Sequence, residues 1–271
     1  MKTQSSLLLL LLGIGLISST NAEIPKDFML GGLPKTNGLV KHLDITVITN
    51  VAYVVGYDET RKDPIWVAYK LVKHDPPFKL PRPASTYFMD PHTKSKVPQN
   101  GYSHDPKSQL IGNKKWAHGH MAANDAIAKA FGEDAQLATF KMSNMCPQAP
   151  RLNGGKWKVL EGKEHKYAQK FGEVWTVCGP IFSTHLATLS EGVEVPSAYY
   201  KILIRKDGAK LTAMAVQFEF FPKLGENSIL YLKNHLVSID DLEKLTGLDF
   251  FSALPATVEN DLEAAKATTI W

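Results

Sequence analysis

Apolar and β-branched positions cluster along the chain in short, distinct runs. IWVAYKLV (65–72) and EVWTVCGPIF (173–182) predict strands, the second apolar enough to be buried on both faces. SAYYKILIRKDG (197–208) and KLTAMAVQFEFF (210–221) flank an Asp207-Gly208 turn and predict a hairpin. KWAHGHM (115–121) is short, aromatic and locally alternating, and predicts a strand or strand-turn. The stretch 139–153, TFKMSNMCPQAPRLN, predicts a strand followed by a proline-marked loop. Helical spacing returns in four places. AIAKAF is capped by Asn124 or Asp125 and closed by Gly132. In 154–172, Trp157, Leu160, Tyr167, Ala168 and Phe171 share a face and Gly172 suits the C-terminal cap. SIDDLEKLTG (238–247) opens on a Ser238/Asp241 capping box, and VENDLEAAKA follows it. Between 73 and 113 the chain is rich in Pro, Gly and Asn and predicts a long irregular loop of the functional kind. Strands with interspersed helices give an α+β fold around a mixed or antiparallel sheet.

The first 22 residues stand apart from this pattern. Lys2, the apolar run 7–17 and Thr20-Asn21-Ala22 have the form of a cleaved export signal, too short to span a bilayer comfortably. The expectation is a secreted or periplasmic protein whose mature part, 23–271, is one domain. Two cysteines, Cys146 and Cys178, then form either one disulfide or two buried thiols. The net charge of +4 conceals an asymmetry. Residues 141–170 carry seven Lys/Arg against two Glu, whereas 234–271 carry seven Asp/Glu against two Lys. The basic segment suits a polyanion, and an ordinary solvated helix face is the plainer alternative.

His118 and His120 flank Gly119. Two apart on a strand, both imidazoles project to one face and can hold one Zn²⁺. A catalytic zinc needs a third ligand, for which His92, His104 and His165 are candidates by proximity alone. No HExxH or CxxC is present.

A longer motif lies downstream. SNMCPQAPRLNGGKWKVLE (143–161) presents Ser143, Asn144, Pro147, Gln148, Leu152, Asn153, Trp157, Leu160 and Glu161. In this order and spacing the chain resembles the DNA/RNA non-specific endonucleases of the ββα-metal, or His-Me finger, group, which includes endonuclease G. Their signature is D-R-G-H, then S/T-N-x-x-P-Q-x-x-x-L-N-x-x-x-W-x-x-L-E. WVAY (66–69), VCGPIF (177–182), VPSAYYKILI (195–204) and IDDLEKLTGLDFFSALP (239–255) extend the likeness over nearly all of 23–271.

The resemblance implies a ββα-metal core and hydrolysis of phosphodiesters in DNA and RNA to 5′-phosphate ends. His120 matches the general base. Asn153 matches the single protein ligand of a divalent metal, Mg²⁺ first and Mn²⁺ or Ca²⁺ next. Glu161 matches the carboxylate that holds metal-bound water, and Asn144 a residue that positions the active-site loop. Imidazole can take a proton near neutral pH, and Mg²⁺ prefers oxygen ligands. Arg82, upstream of Asp90-Pro91, stands for the family's phosphate-binding arginine. Lys114, Lys115, Arg151 and Lys156 are expected backbone contacts. Trp157, Leu160 and Phe171 read as core. A homodimer is compatible with the resemblance.

One departure stands out. Ala117-His118-Gly119-His120 occupies the place of D-R-G-H, so the acid and the arginine are gone. His118 is then a phosphate contact, a structural group or a tolerated exposed histidine. Two other readings remain beside the nuclease: a degenerate relative that binds polyanions without turnover, and a zinc hydrolase using His118 and His120.

Overall fold

The computed structural model describes residues 28–38, 43–84, 87–102, 116–221 and 229–271. The expected signal, His104, Lys114 and Lys115 lie outside them.

The chain runs through β1 (Lys35–Thr36), β2 (Ile45–Thr49), β3 (Val54–Asp58) and β4 (Asp63–Val72), then an irregular stretch, to β5 (Ala117–His120). Helices α1 (Asn124–Phe131) and α2 (Glu133–Ala138) lead to β6 (Met145–Gln148), α3 (Pro150–Leu152) and α4 (Lys158–Phe171). Strands β7 (Glu173–Ile181), β8 (Ala187–Thr188), β9 (Glu194–Val195), β10 (Ala198–Asp207) and β11 (Lys210–Glu219) follow. The end is α5 (Ile229–Leu232), β12 (Leu236–Val237), α6 (Ile239–Thr246), β13 (Leu248–Asp249) and α7 (Ala256–Ala264).

Seven strands form one sheet in the order β12-β11-β10-β7-β4-β3-β2, every pair antiparallel. Period-two alternation sends neighbouring residues to opposite faces. Val55, Val67, Tyr199 and Leu203 join one core with α1 and α4. Val54, Ala68, Tyr200 and Ile202 join a second core with Ile239, Leu242, Phe250 and Leu262. Both faces are covered, which is why β7 is mostly apolar and buried from Val174 to Ile181. The expected hairpin is β10–β11, with Asp207 opposite Lys210 and Gly208 at φ 61° between them. The capping box is also present: Asp241 N–H donates to Ser238 Oγ at 3.1 Å, and Ser238 N–H to Asp241 Oδ2 at 3.5 Å.

Three local expectations differ from the structure. Ala123, not Asn124 or Asp125, precedes α1, and the buried Asn124 amide reaches Thr139 Oγ1 at 2.7 Å instead. The helix expected over 154–172 starts earlier. Helical backbone begins at Pro150 and passes through a π-turn, Asn153–Trp157, in which Gly155 adopts φ −106°, ψ −116°. Cys146 and Cys178 are both free and buried. One thiol faces the Pro64 carbonyl from β6 and the other the Met121 carbonyl from β7, so the disulfide expectation is replaced by two core thiols.

Candidate active site

Strands β5 and β6 pair as a separate two-stranded ribbon, with His120 opposite Met145 and Gly119 opposite Cys146. The helical run from Pro150 completes a ββα unit. Gly119 is required by close packing, because a Cβ there would stand 2.3 Å from Gln148 Cδ. Asn144 locks the far end of the ribbon. Its Oδ1 accepts from Ala122 N–H at 2.8 Å, and its Nδ2 donates to the carbonyls of Ala122 (3.2 Å) and Thr139 (2.9 Å). Fully buried and with its amide committed to backbone, it positions the turn after His120 rather than meeting a ligand. Asp90 ties the irregular segment to the same place by accepting from Ser143 Oγ at 2.5 Å.

Trp157 joins the two halves. Its indole N–H is shared between the His120 carbonyl and Glu161 Oε1, each at 3.0 Å. It is core, as expected, and also a two-way hydrogen-bond donor. Below it lie the fully buried Lys201 and Glu164, whose side chains pair with each other and with the Tyr69 hydroxyl. The Lys201 ammonium sits 4.6 Å from the Trp157 ring centroid.

A cavity of about 690 Å³ opens above this floor, lined among others by Arg82, His118, His120, Asn153, Lys158 and Glu161. Four segments distant in sequence therefore converge on one space. Arg82 stands over the Phe140 ring at 5.9 Å and is otherwise exposed. His120 is 6 % exposed, and its Nε2 has no hydrogen-bond partner. Burial, then the charges of Arg82 and His118, lower its pKa to about 3, so the ring is neutral. Burial pushes Glu161 up to about 7, against the opposing charge of Lys201 and with the aid of Glu164.

His118 behaves differently from the exposed cation of the family motif. Its ring is stacked between Tyr87 (4.1 Å between centroids) and Tyr102 (4.8 Å), and its Nε2 meets the Gln99 carbonyl at 3.1 Å. Burial lowers its pKa, with the Gln99 bond acting the other way. The described residues supply no third ligand for the zinc reading, and His104 lies outside them. Among the described residues, the one group of three or more His, Cys, Asp or Glu within ligating distance is Asp240, Glu243 and Glu263, which contains neither histidine.

Two of the expected backbone contacts differ in burial. Arg151 is exposed on α3. Lys156 is 1 % exposed, with Nζ 2.7 Å from His235 Nε2, and so is not a surface contact. The π-turn explains this: it offsets the residues that an ideal helix starting at 154 would present outward. Lys158, exposed and lining the cavity, takes the place expected of Lys156. Sequence periodicity missed Lys158, Tyr87 and Tyr102. The paired glycines 154 and 155 were the one local sign of an irregular turn.

The family model described as DNA/RNA non-specific endonuclease matches residues 36–257. The chain belongs to the DNA/RNA non-specific endonuclease family. Among its family relatives, Nuclease EXOG, mitochondrial, of Danio rerio is 31% identical over 221 residues, covering 78% of this chain and 62% of that protein. Nuclease of Serratia marcescens is 27% identical over 233 residues, covering 80% of this chain and 79% of that one. The chain spans about three fifths of the length of the EXOG relatives. The fold of this endonuclease-family chain matches a chain from the crystal structure of the EndoG/EndoGI complex, with TM-score 0.63 and 20% identity over 86% of this chain and 93% of that one.

The donor set in the cavity fits the divalent metal on which the family depends. Asn153 offers an amide oxygen, and Glu161 commits only Oε1 to Trp157. Such hard oxygen donors suit Mg²⁺, Mn²⁺ or Ca²⁺ rather than a thiolate-preferring ion.

Proposed function

We propose that this chain is an exported, metal-dependent, sugar-non-specific endonuclease that hydrolyses phosphodiester bonds of DNA and RNA. The observation that carries the reading is the meeting of His120, Asn153, Glu161 and Arg82 around one cavity. Export is supported by the composition of residues 1–22. Contacts to the phosphate backbone carry no base information, so sequence preference is loose.

In this reading Arg82 and Lys158 hold the phosphodiester. A ring nitrogen of neutral His120 takes the proton of a water as its oxygen attacks phosphorus. The bond to the 3′ oxygen breaks and that oxygen takes a proton from solvent, leaving a 5′-phosphate and a 3′-hydroxyl. Burial alone makes His120 a weak base, and the entering anionic phosphate raises its basicity where it is needed. Asn153 and Glu161 hold a divalent cation, most suitably Mg²⁺, which when bound supplies Lewis-acid stabilisation of developing negative charge. Trp157 keeps Glu161 and the His120 strand at fixed separation.

Digestion of plasmid and of RNA, with and without chelator, tests the proposal. Cleavage of both requires the metal, nearly disappears in His120→Ala and Asn153→Ala, and falls less in His118→Ala. Purified protein that retards DNA on a gel with Mg²⁺ present but never cuts it would establish the degenerate binder instead. The stacked, burial-neutralised His118 in the arginine's place is the feature that favours that second reading.

A further inference from the structure

The acidic bias of residues 234–271 has no part in the cavity around His120, yet the fold collects it. We propose that Asp240, Glu243 and Glu263 form a binding site for one oxygen-preferring divalent cation of the calcium class, clipping α6 to α7. One ligating oxygen from each of the three carboxylates lies within 4.8 Å of the other two. Oxygens bound to one Ca²⁺ at about 2.3–2.6 Å stand no more than about 5 Å apart, so the three fit one ion with little movement.

A second observation points to a ligand. Glu263 is 6 % exposed, and its Oε1 is buried with no hydrogen-bond partner. A buried carboxylate oxygen left without a donor or cation is costly, and native structures rarely keep one. Glu263 feels Glu243, Glu259, Asp240 and Asp249, all of its own sign. The neighbouring ammonium groups act elsewhere: Lys244 pairs with Asp241 at 3.7 Å, and Lys266 also acts on Asp241. Burial first, then repulsion among these carboxylates, pushes Glu263 up to about 8 and Glu243 up to about 6. Glu243 Oε1 accepts from Phe250 N–H at 2.7 Å, which fixes that side chain.

The cluster belongs to the opposite side of the sheet from His120, because Ile239, Leu242 and Leu262 pack into the second core. Flexible, multi-carboxylate coordination suits Ca²⁺ better than Mg²⁺, which demands a tighter octahedron and keeps its waters.

The test uses the full chain carrying Asn153→Ala, which removes the expected metal ligand of the nuclease cavity. Calorimetric titration with CaCl₂ should show one bound ion per chain, with Kd on the order of 10⁻⁴–10⁻³ M, and the melting temperature should rise with Ca²⁺. Adding Glu243→Gln and Glu263→Gln should abolish both the binding heat and the shift. The metal-free melting temperature should stay at or above the parent's, because like-charge repulsion is relieved. If the triple variant does not fold, Asn153→Ala with Asp240→Asn should lose most of the affinity. No Ca²⁺ binding by Asn153→Ala, or binding that survives these carboxamide substitutions, would overturn the proposal and identify the cluster as carboxylates sharing a proton.

Discussion

Replacing Lys201 by Met probes the floor of the cavity around His120. Lys201 and Glu164 are both fully buried, and the pair is closed by the Tyr69 hydroxyl. Burial works against the ammonium, but Glu164, Cys178 and Glu161 outweigh it and hold its pKa above the usual lysine value. A raised lysine pKa contributes stability that is complete below the unfolded-chain pKa and is lost as pH rises through the folded one. At neutral pH that contribution is therefore fully present. Lys201→Met leaves the buried Glu164 carboxyl without its cation, a change that typically costs about 3–5 kcal/mol. That is at least about a fifth of the roughly 5–15 kcal/mol available to a folded protein. At about 2–4 °C per kcal/mol for chains of this size, melting should fall by about 6–20 °C. Denaturant unfolding at neutral pH measures the loss. Lys201→Met combined with Glu164→Leu should recover most of it, since a neutral, volume-matched pair restores the balance. A single-variant loss under about 1 kcal/mol would show that the pair does not act as a coupled unit, and the argument for it would fail.

Three further expectations can be checked directly. Gly119→Ala forces a methyl group against the buried Gln148 side chain, with a stability cost of about 1–3 kcal/mol and a fall in kcat as His120 shifts; unchanged melting and turnover would contradict the packing described. Asn144→Ala strands the Ala122 N–H and should lower stability by about 1–3 kcal/mol, with kcat falling more than KM rises, whereas a pure KM effect would place Asn144 on the substrate instead. His120 has a depressed pKa, so its contribution to stability is complete above about pH 6.5 and shrinks as pH falls toward 3, by at most about 1.4 kcal/mol per pH unit. Unfolding curves of wild type and His120→Gln should diverge over that window, and parallel pH dependences would refute the buried, neutral ring.

The sheet was readable because its strands are long and apolar on both faces: 65–72, 173–182 and the Asp207-Gly208 hairpin need no tertiary context to be seen. The residues around His120 were readable for another reason, a spaced motif carried by resemblance, which periodicity alone does not supply. What stayed hidden depends on contacts across the chain. Lys156 looked like a surface cation until the π-turn carried it inward to His235. His118 looked exposed because the tyrosines that enclose it come from the irregular segment, at 87 and 102. Cys146 and Cys178 sit on separate strands whose relative placement no spacing rule encodes.

Beneath the Trp157 indole, two carboxylates, Glu161 and Glu164, share a single ammonium, Lys201. With both ionised, these carboxyls outnumber the buried ammonium by one, and Glu161 carries that excess to the cavity wall. Lysine is covalently fixed and cannot leave with product, while a mobile dication can come and go. On the proposed reading, Asn153 and Glu161 would then hold such an ion and release it with no change in the fold.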